Sequence, residues 1–308
     1  MSEDNIQNYI PKYIKAGKAV IAAKKLAQKI IAPGASYLEI ANQVEGEIIN
    51  QGCNLSFPIN MSLNEIAAHY SPPIDDKTIV PEKGLLKIDI GAHYEGYIAD
   101  SAFTINLDED PNLQNYIDAA EEGLEAAIEL FTPGTKLYEL GEAIAERILS
   151  HGLRPITNLG GHELKQFNLH AGPFIPNYKE KSHNEVLKIG DAYACEPFAT
   201  SGAGKVENGT HSYIFRLVKK VKKNLPYEER GYLNKIENNC QRLPFSPRFL
   251  ENNNLIPKNK INRIIETFLG KKILDHYPLL IERSRAPVAQ QEHTMVIDSD
   301  GNTIVTTK

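Results

Sequence analysis

Carboxylates occupy positions in this sequence where water should be scarce. The stretch LLKIDIGAHYEGYIADSAFTI alternates apolar and polar residues on both sides of a turn at His93 to Gly96, the pattern of a β-hairpin. With Tyr94 and Glu95 at the centre of that turn, Asp89 stands directly opposite Asp100. Like charges opposed across a strand pair are destabilising, and the flanking Ile88, Ile90, Ala99 and Ala102 argue for partial burial. Three arrangements meet the difficulty: one carboxylate keeps a proton, both face water, or a cation lies between them. Divalent ions of the hard or borderline kind accept carboxylate oxygen, and two carboxylates can hold two ions close together.

Further ligand types follow downstream, in segments bounded by turn residues. Gly160-Gly161-His162 and His170-Ala171-Gly172-Pro173 set two histidines in glycine-rich sequence. Glu196 lies in KIGDAYACEPFATSG, which reads as an otherwise apolar strand, and Glu292 stands just before the strand Met295-Val296-Ile297. A buried glutamate without a partner is costly. Taken singly, a histidine is more often structural than a ligand, and a glutamate more often a solvated strand-end residue. Together, two aspartates, two glutamates and a histidine form a coherent oxygen-rich metal site.

The elements that must position these groups are organised by an internal repeat. Ile30 to Gly52 matches Leu130 to Gly152 without a gap at an offset of 100 residues, with Pro33 on Pro133, Gly34 on Gly134, Glu39 on Glu139 and Gly52 on Gly152. Each copy reads as a helix end, a Pro-Gly turn and a second helix whose apolar residues recur at helical spacing. The segments before the turns, Asn5 to Ile31 with a break near Pro11 and Asn112 to Leu130, also read as helices, and β-rich sequence follows each copy. The expectation is an α+β chain of two related halves with a site between them. A third block, about residues 222–286, interrupts the second half with helices at Tyr227 to Cys240 and Ile261 to His276, separated by a loop around Pro244 to Asn254.

Composition narrows the partners. A chain of 308 residues, 42% hydrophobic and 24% charged, can bury a sizeable core, and a net charge of −5 offers no basic surplus for DNA. Cys53, Cys195 and Cys240 form neither a disulfide framework nor a thiolate metal site, which points to a reducing cytoplasm. The first residues lack a signal-peptide pattern, and no apolar run reaches membrane-spanning length.

In order, KIDIGAH, YIADSAFT, GGHELKQFNLHAGP, ACEPFATSGAG and QQEHT resemble the methionine aminopeptidase family. FPINMSLNEIAAHYSP and the long gap between Glu196 and Glu292 resemble its type II members in their short archaeal form. The resemblance implies a pita-bread fold with pseudo-twofold duplicated halves, making residues 1–308 a single catalytic domain with the helical block inserted in it. It implies removal of the initiator methionine from nascent proteins and peptides by a dinuclear metal-activated hydroxide, in a cytoplasmic monomer. The two divalent ions would be Co, Mn, Fe or Zn. Asp89 would bind one ion, His162 and Glu196 the other, and Asp100 and Glu292 both. Glu196 would also move the proton, His69 and His170 would contact the substrate backbone and scissile amide, and Phe57, Leu169 and Tyr277 would wall the methionine pocket. Proline-directed relatives of the same fold carry an additional N-terminal domain, and non-catalytic relatives lose the ligands that stand here.

Two weaker features remain. Gly202-Ala203-Gly204-Lys205 lacks the first glycine and the Ser/Thr of a phosphate loop and reads as a turn. Lys219, Lys220, Lys222 and Lys223 lead into a segment, Asn224 to Ala286, with 11 basic and 7 acidic residues. A solvated face is one meaning of that surplus, and docking on ribosomal RNA near the peptide exit is the alternative.

Overall fold

The structure is a computed structural model that describes residues 3–218 and 225–308. The first half contains α1 (Glu3–Ile30), α2 (Tyr37–Asn50), β1 (Asn54–Leu55), β2 (Asn60–Leu63), β3 (Ile66–Ala68), β4 (Leu85–Tyr94) and β5 (Tyr97–Asn106). The second begins the same way, with α3 (Pro111–Leu130) and α4 (Leu137–Ser150). It continues through β6 (Arg154–Pro155), β7 (Gly160–Glu163), β8 (Phe174–Pro176), β9 (Ala192–Cys195), β10 (Phe198–Thr200) and β11 (Val206–Leu217). Then come α5 (Tyr227–Cys240), α6 (Pro247–Asn252), α7 (Lys258–Gly270), β12 (Leu274–Glu282), β13 (Val288–Gln290), β14 (His293–Ile297) and β15 (Thr303–Val305).

Each helical pair covers its own antiparallel sheet. In α1 the fully buried Ala16, Ala19, Val20, Ala23 and Ala27 fall at helical spacing, and these small side chains let the helix lie close on Met61, Ile88 and Ile90. In α4, Leu137, Leu140, Ile144 and Ile148 form the matching stripe against Ile175, Tyr193 and Met295. Burying each such aliphatic side chain contributes roughly 1.5–3 kcal/mol.

The duplication runs deeper than the sequence match. Gly34 and Gly134 take φ values of 84° and 99°, and Gly52 and Gly152 both take 72°, where an L side chain is strained. The strand-like residue before each second helix is clamped alike. Ser36 bridges Ile79 and Lys136 bridges Val186, while the Gly34 N–H donates to Val80 O at 2.8 Å and the Gly134 N–H to Leu187 O at 2.9 Å.

Three expectations change. The hairpin turns on Glu95 and Gly96, not Tyr94 and Glu95, so Asp89 pairs with Ala102 and Asp100 with Gly91. A two-residue hairpin turn of this kind needs positive φ at both central positions; Glu95 has 51° and Gly96 87°, and the bulky Tyr94 is spared. The helix α1 runs unbroken past Pro11. On either side of it the Tyr9 hydroxyl donates to Gly190 O and the Tyr13 hydroxyl to Leu164 O, tertiary bonds that hold both turns against the second half. The second insertion helix ends at Gly270, before Lys272 turns at φ 53°, and Leu274 to His276 instead pair with β11. The loop between the insertion helices also holds the short α6. The lysines at 219, 220, 222 and 223 lie outside the described residues.

The helices α5, α6 and α7 close over their own apolar cluster, including Leu233, Ile236, Leu250, Ile264 and Phe268. One ion pair fastens α6 to α2: Arg248, 1% exposed, forms a two-point contact with Glu45 and donates through Nε to Pro72 O at 3.2 Å.

Candidate active site

The actual hairpin register makes Asp89 and Asp100 diagonal neighbours on one face rather than directly opposed residues. Diagonal side chains still reach one another: the two carboxylates lie close enough to share a hydrogen bond, and the charge of Asp89 raises the pKa of Asp100. Glu292 reaches them from the second half across a hydroxyl-rich seam. Ser101 Oγ donates to Glu292 O at 2.6 Å, and the Glu292 N–H donates to Ala102 O at 3.0 Å. Thr104 Oγ1 donates to Gln290 O at 2.7 Å and accepts from the Gln290 N–H at 2.8 Å.

His162 sits on β7, paired with Ala194 of β9, two residues before Glu196. Glu196 does not lie within a strand, as the sequence suggested, but in the break between β9 and β10. Pro197 follows it and has no N–H to continue the ladder. His162 Nε2 lies 3.7 Å from Asp100 Oδ2 and 3.9 Å from Glu196 Oε1. Ligand atoms of Asp100, His162 and Glu292 all fall within 4.8 Å of one another.

The charges here are held against their preference. Burial pushes Asp89 up to about 7, and burial followed by the charges of neighbouring carboxylates raises Asp100, Glu196 and Glu292 well above the usual carboxylate range. Burial pushes His162 down to about 4. Asp89 Oδ1 and Asp100 Oδ1 are buried without a hydrogen-bond partner among the described residues. Oxygens with free lone pairs beside an imidazole that stays neutral are what a divalent cation requires of its ligands, so these residues fit one.

A cavity of about 230 Å³ adjoins this cluster, and all ten residues singled out from the sequence line it. Phe57, Leu169 and Tyr277 belong to its apolar wall, together with Phe198, Ile214 and Leu280, which the sequence reading missed. Those three carry no distinguishing chemistry, and only the strand pairing brings them here. A Cβ on Gly91 would come within 2.1 Å of the Phe57 ring, so the glycine makes room for that wall. Gln290 was also missed: its Nε2 donates to Glu196 Oε2 at 3.1 Å. Its place two residues before Glu292, at strand spacing, was the available clue.

Three aromatic rings follow one another along the opening, His162 to His170 at 4.3 Å between centroids and His170 to Tyr277 at 6.0 Å. His69, at φ 74°, packs against Tyr277 at 5.3 Å, and its Nδ1 donates to Pro278 O at 2.9 Å. Burial lowers the His69 pKa. His170 is held well below the usual value by burial first, then by His162, His69 and Arg216.

The profile of metallopeptidase family M24 matches residues 12–229. A methionine aminopeptidase of Methanothermobacter thermautotrophicus is 39% identical over 298 residues, which cover 96% of this chain and 98% of that one. Among solved structures, a thermophilic Arx1 superposes with a TM-score of 0.84 at 17% identity, over 97% of this chain and 90% of that one. The methionine aminopeptidase of Thermotoga maritima superposes at 0.69 and 22% identity, over 98% and 97%. These likenesses describe the fold, which is the pita-bread arrangement of two related halves. A profile matching most of the sequence and a near-full-length identity of 39% agree: the chain belongs to the methionine aminopeptidases of metallopeptidase family M24.

Proposed function

We infer that this chain removes the N-terminal methionine from peptides and nascent proteins, and that it does so with two divalent ions, of Mn, Fe, Co or Zn. The observation that carries the reading is the meeting of four carboxylates and a neutral imidazole in a cavity whose remaining wall is largely apolar. Asp89 would hold one ion, His162 and Glu196 the other, and Asp100 and Glu292 would serve both. When bound, such ions supply water activated for attack at neutral pH and Lewis-acid polarisation of the scissile carbonyl.

The protein's own groups do the rest. Glu196 takes the proton of the attacking water on a carboxylate oxygen and returns it to the amide nitrogen as the bond breaks. Because Nδ1 of His69 donates to the Pro278 carbonyl, Nε2 of the neutral ring keeps its lone pair and accepts from a substrate N–H. His170, held neutral, donates to the oxygen on which charge develops. Phe57, Leu169 and Tyr277 receive the unbranched methionine side chain, and a volume of about 230 Å³ excludes much larger ones. The acidic set also suits a free α-amino group, which an internal peptide bond lacks.

We place the reaction in the cytoplasm, in a monomer whose 308 residues form one catalytic domain with residues of about 222–286 inserted. In support, Cys53, Cys195 and Cys240 are buried and unpaired, no described helix is long and apolar enough to cross a membrane, and the insertion helices share a core of their own. A solvated face suits the basic insertion better than ribosomal RNA. Lys258 pairs with Asp75, Arg248 with Glu45 and Arg285 with Glu207, carboxylates outside the segment that offset part of its basic surplus.

The test strips the purified protein of metal and adds back each ion in turn. Met-Gly-Ser and Met-Ala-Ser peptides should be cleaved and Ala-Pro peptides left intact. Glu292→Ala should lose on the order of 10³-fold in turnover, the equivalent of several kcal/mol of transition-state stabilisation, while keeping its circular dichroism. Activity surviving in that variant, or absent with every ion, overturns the reading.

A further inference from the structure

The strand β11 carries the cavity wall out towards solvent. Its last four residues pair regularly with β12: Ile214 with Tyr277, Phe215 with His276, Arg216 with Asp275 and Leu217 with Leu274. Alternation along a strand puts Ile214 and Arg216 on one face. Ile214 lines the cavity and is 3% exposed, while Phe215 and Leu217, on the other face, pack into the core of the insertion. Arg216, with a side chain 40% exposed, therefore stands at the cavity's rim. Its guanidinium carbon lies 5.5 Å from the centroid of the Tyr277 ring, and its charge is felt by His170.

Asp275 does not use up this cation. The contact is one nitrogen to one oxygen, Nη2 to Oδ2 at 3.2 Å, between side chains 40% and 49% exposed. Such an exposed pair holds its partners weakly, and a guanidinium has five N–H donors. The His170 and Arg216 groups each lie within 6.0 Å of the Tyr277 ring centroid, so they are at most about 12 Å apart. An extended peptide advances about 3.3–3.6 Å per residue, and about three residues past the bond held at His170 span that distance.

Resting on the activity inferred above, we propose that Arg216 is a specificity-determining residue that favours substrates bearing Asp or Glu at the third or fourth residue, two or three places beyond the cleaved methionine. The substrate carboxylate pairs with the guanidinium at the rim while methionine fills the apolar pocket. The preference is expressed in KM, because the contact forms as much in the bound substrate as in the transition state.

The experiment measures kcat and KM for C-terminally amidated peptides of the form Met-Gly-Xaa-Ala-Ala, and the series shifted by one residue, with Xaa as Glu, Gln or Lys. Amidation removes the terminal carboxylate as a second source of the same charge. Wild-type protein should favour Glu over Lys by about five- to tenfold, chiefly in KM, and lose most of that ratio at about 1 M salt. Arg216→Met should bring the ratio towards one, Arg216→Glu should invert it, and Asp275→Asn, which removes a competing carboxylate, should widen it. Each ratio is internal to one protein, so a partly unfolded variant still reports it. Equal cleavage of the three peptides by wild type, or a wild-type ratio retained in Arg216→Met, overturns the acidic preference alone. Failure of wild type to cleave any of them overturns the activity itself.

Discussion

Thr294 and Asp100 exchange two hydrogen bonds: the Asp100 N–H donates to Thr294 Oγ1 at 2.7 Å, and the Thr294 hydroxyl donates to Asp100 O at 2.8 Å. The Thr294 side chain thereby joins the Ser101 and Thr104 hydroxyls and the backbone bond from Glu292 N–H to Ala102 O in tying β5 to the second half. The carboxylate of Asp100 is aimed by a residue of the opposite half.

Replacing Thr294 by Val keeps the shape and removes both bonds, leaving a buried N–H and C=O unsatisfied. That should cost about 1–3 kcal/mol and lower the melting temperature by several degrees. Divalent-ion affinity should fall by roughly tenfold as the ligand loosens. Thermal melts and ion titration by calorimetry check this, with Thr294→Ser expected to recover both. Unchanged values for Thr294→Val would show that the pair is not what holds Asp100.

His93 offers a test of pH. Its ring is buried, its Nδ1 accepts from the Gly96 N–H at 3.0 Å, and burial pushes its pKa down to about 4. Between about 4 and 6.5 the unfolded chain binds a proton that the folded chain refuses. The stability that His93 contributes is therefore present above about 6.5 and lost as pH falls towards 4. Urea unfolding across that range should show a shallower loss in His93→Asn, which still offers an acceptor to Gly96 and does not titrate. Parallel curves for the two proteins would reject the assignment.

Arg248 joins the insertion to α2 through a pair that water barely reaches. Arg248→Ala would leave the Glu45 carboxylate buried without its partner, at a cost of about 3–5 kcal/mol. Arg248→Met combined with Glu45→Gln should restore much of the loss. A double-mutant cycle in denaturant measures the coupling; additive effects would mean that the pair contributes nothing beyond its separate members.

Gly91 sets the room left for Phe57 in the cavity wall. In Gly91→Ala the new Cβ meets Phe57 carbons at 2.1 and 2.5 Å and Ser56 Oγ at 2.2 Å, so the ring must shift. Overpacking of this sort costs about 1–3 kcal/mol, and KM for Met-Gly-Ser should rise by about tenfold or more. A wild-type KM would mean that Phe57 does not bound the bound side chain.

The sequence revealed the chemistry better than the geometry, for a physical reason. Asp89, Asp100, His162, Glu196 and Glu292 stood out because polar residues among apolar neighbours must be accounted for, and all five line one cavity. Ile214, Phe198 and Leu280 could not stand out, because an apolar wall residue looks the same as any core residue until strand pairing places it. The hairpin register was misread by one residue at the turn, where the deciding quantity is which two residues tolerate positive φ. Glycine at position 96 was the legible half of that answer. Pro11 misled for the converse reason: local preference argues for a break, and the Tyr9 and Tyr13 hydroxyls bonded across to the second half override it.

The two copies of the helical motif differ in one telling measure. From the glycine that closes the second helix to the residue clamped beside the helix start, the later copy, Gly152 to Val186, is seven residues longer than Gly52 to Ile79. The longer stretch holds both His162 and His170. In a symmetric dimer every group at a shared centre must appear twice. Joining the copies in one chain frees them to diverge, so that one contributes two aspartates and a histidine, while the other supplies the remaining histidines and the glutamates. The lopsidedness of the chamber is a division of labour closed to a symmetric pair of identical chains.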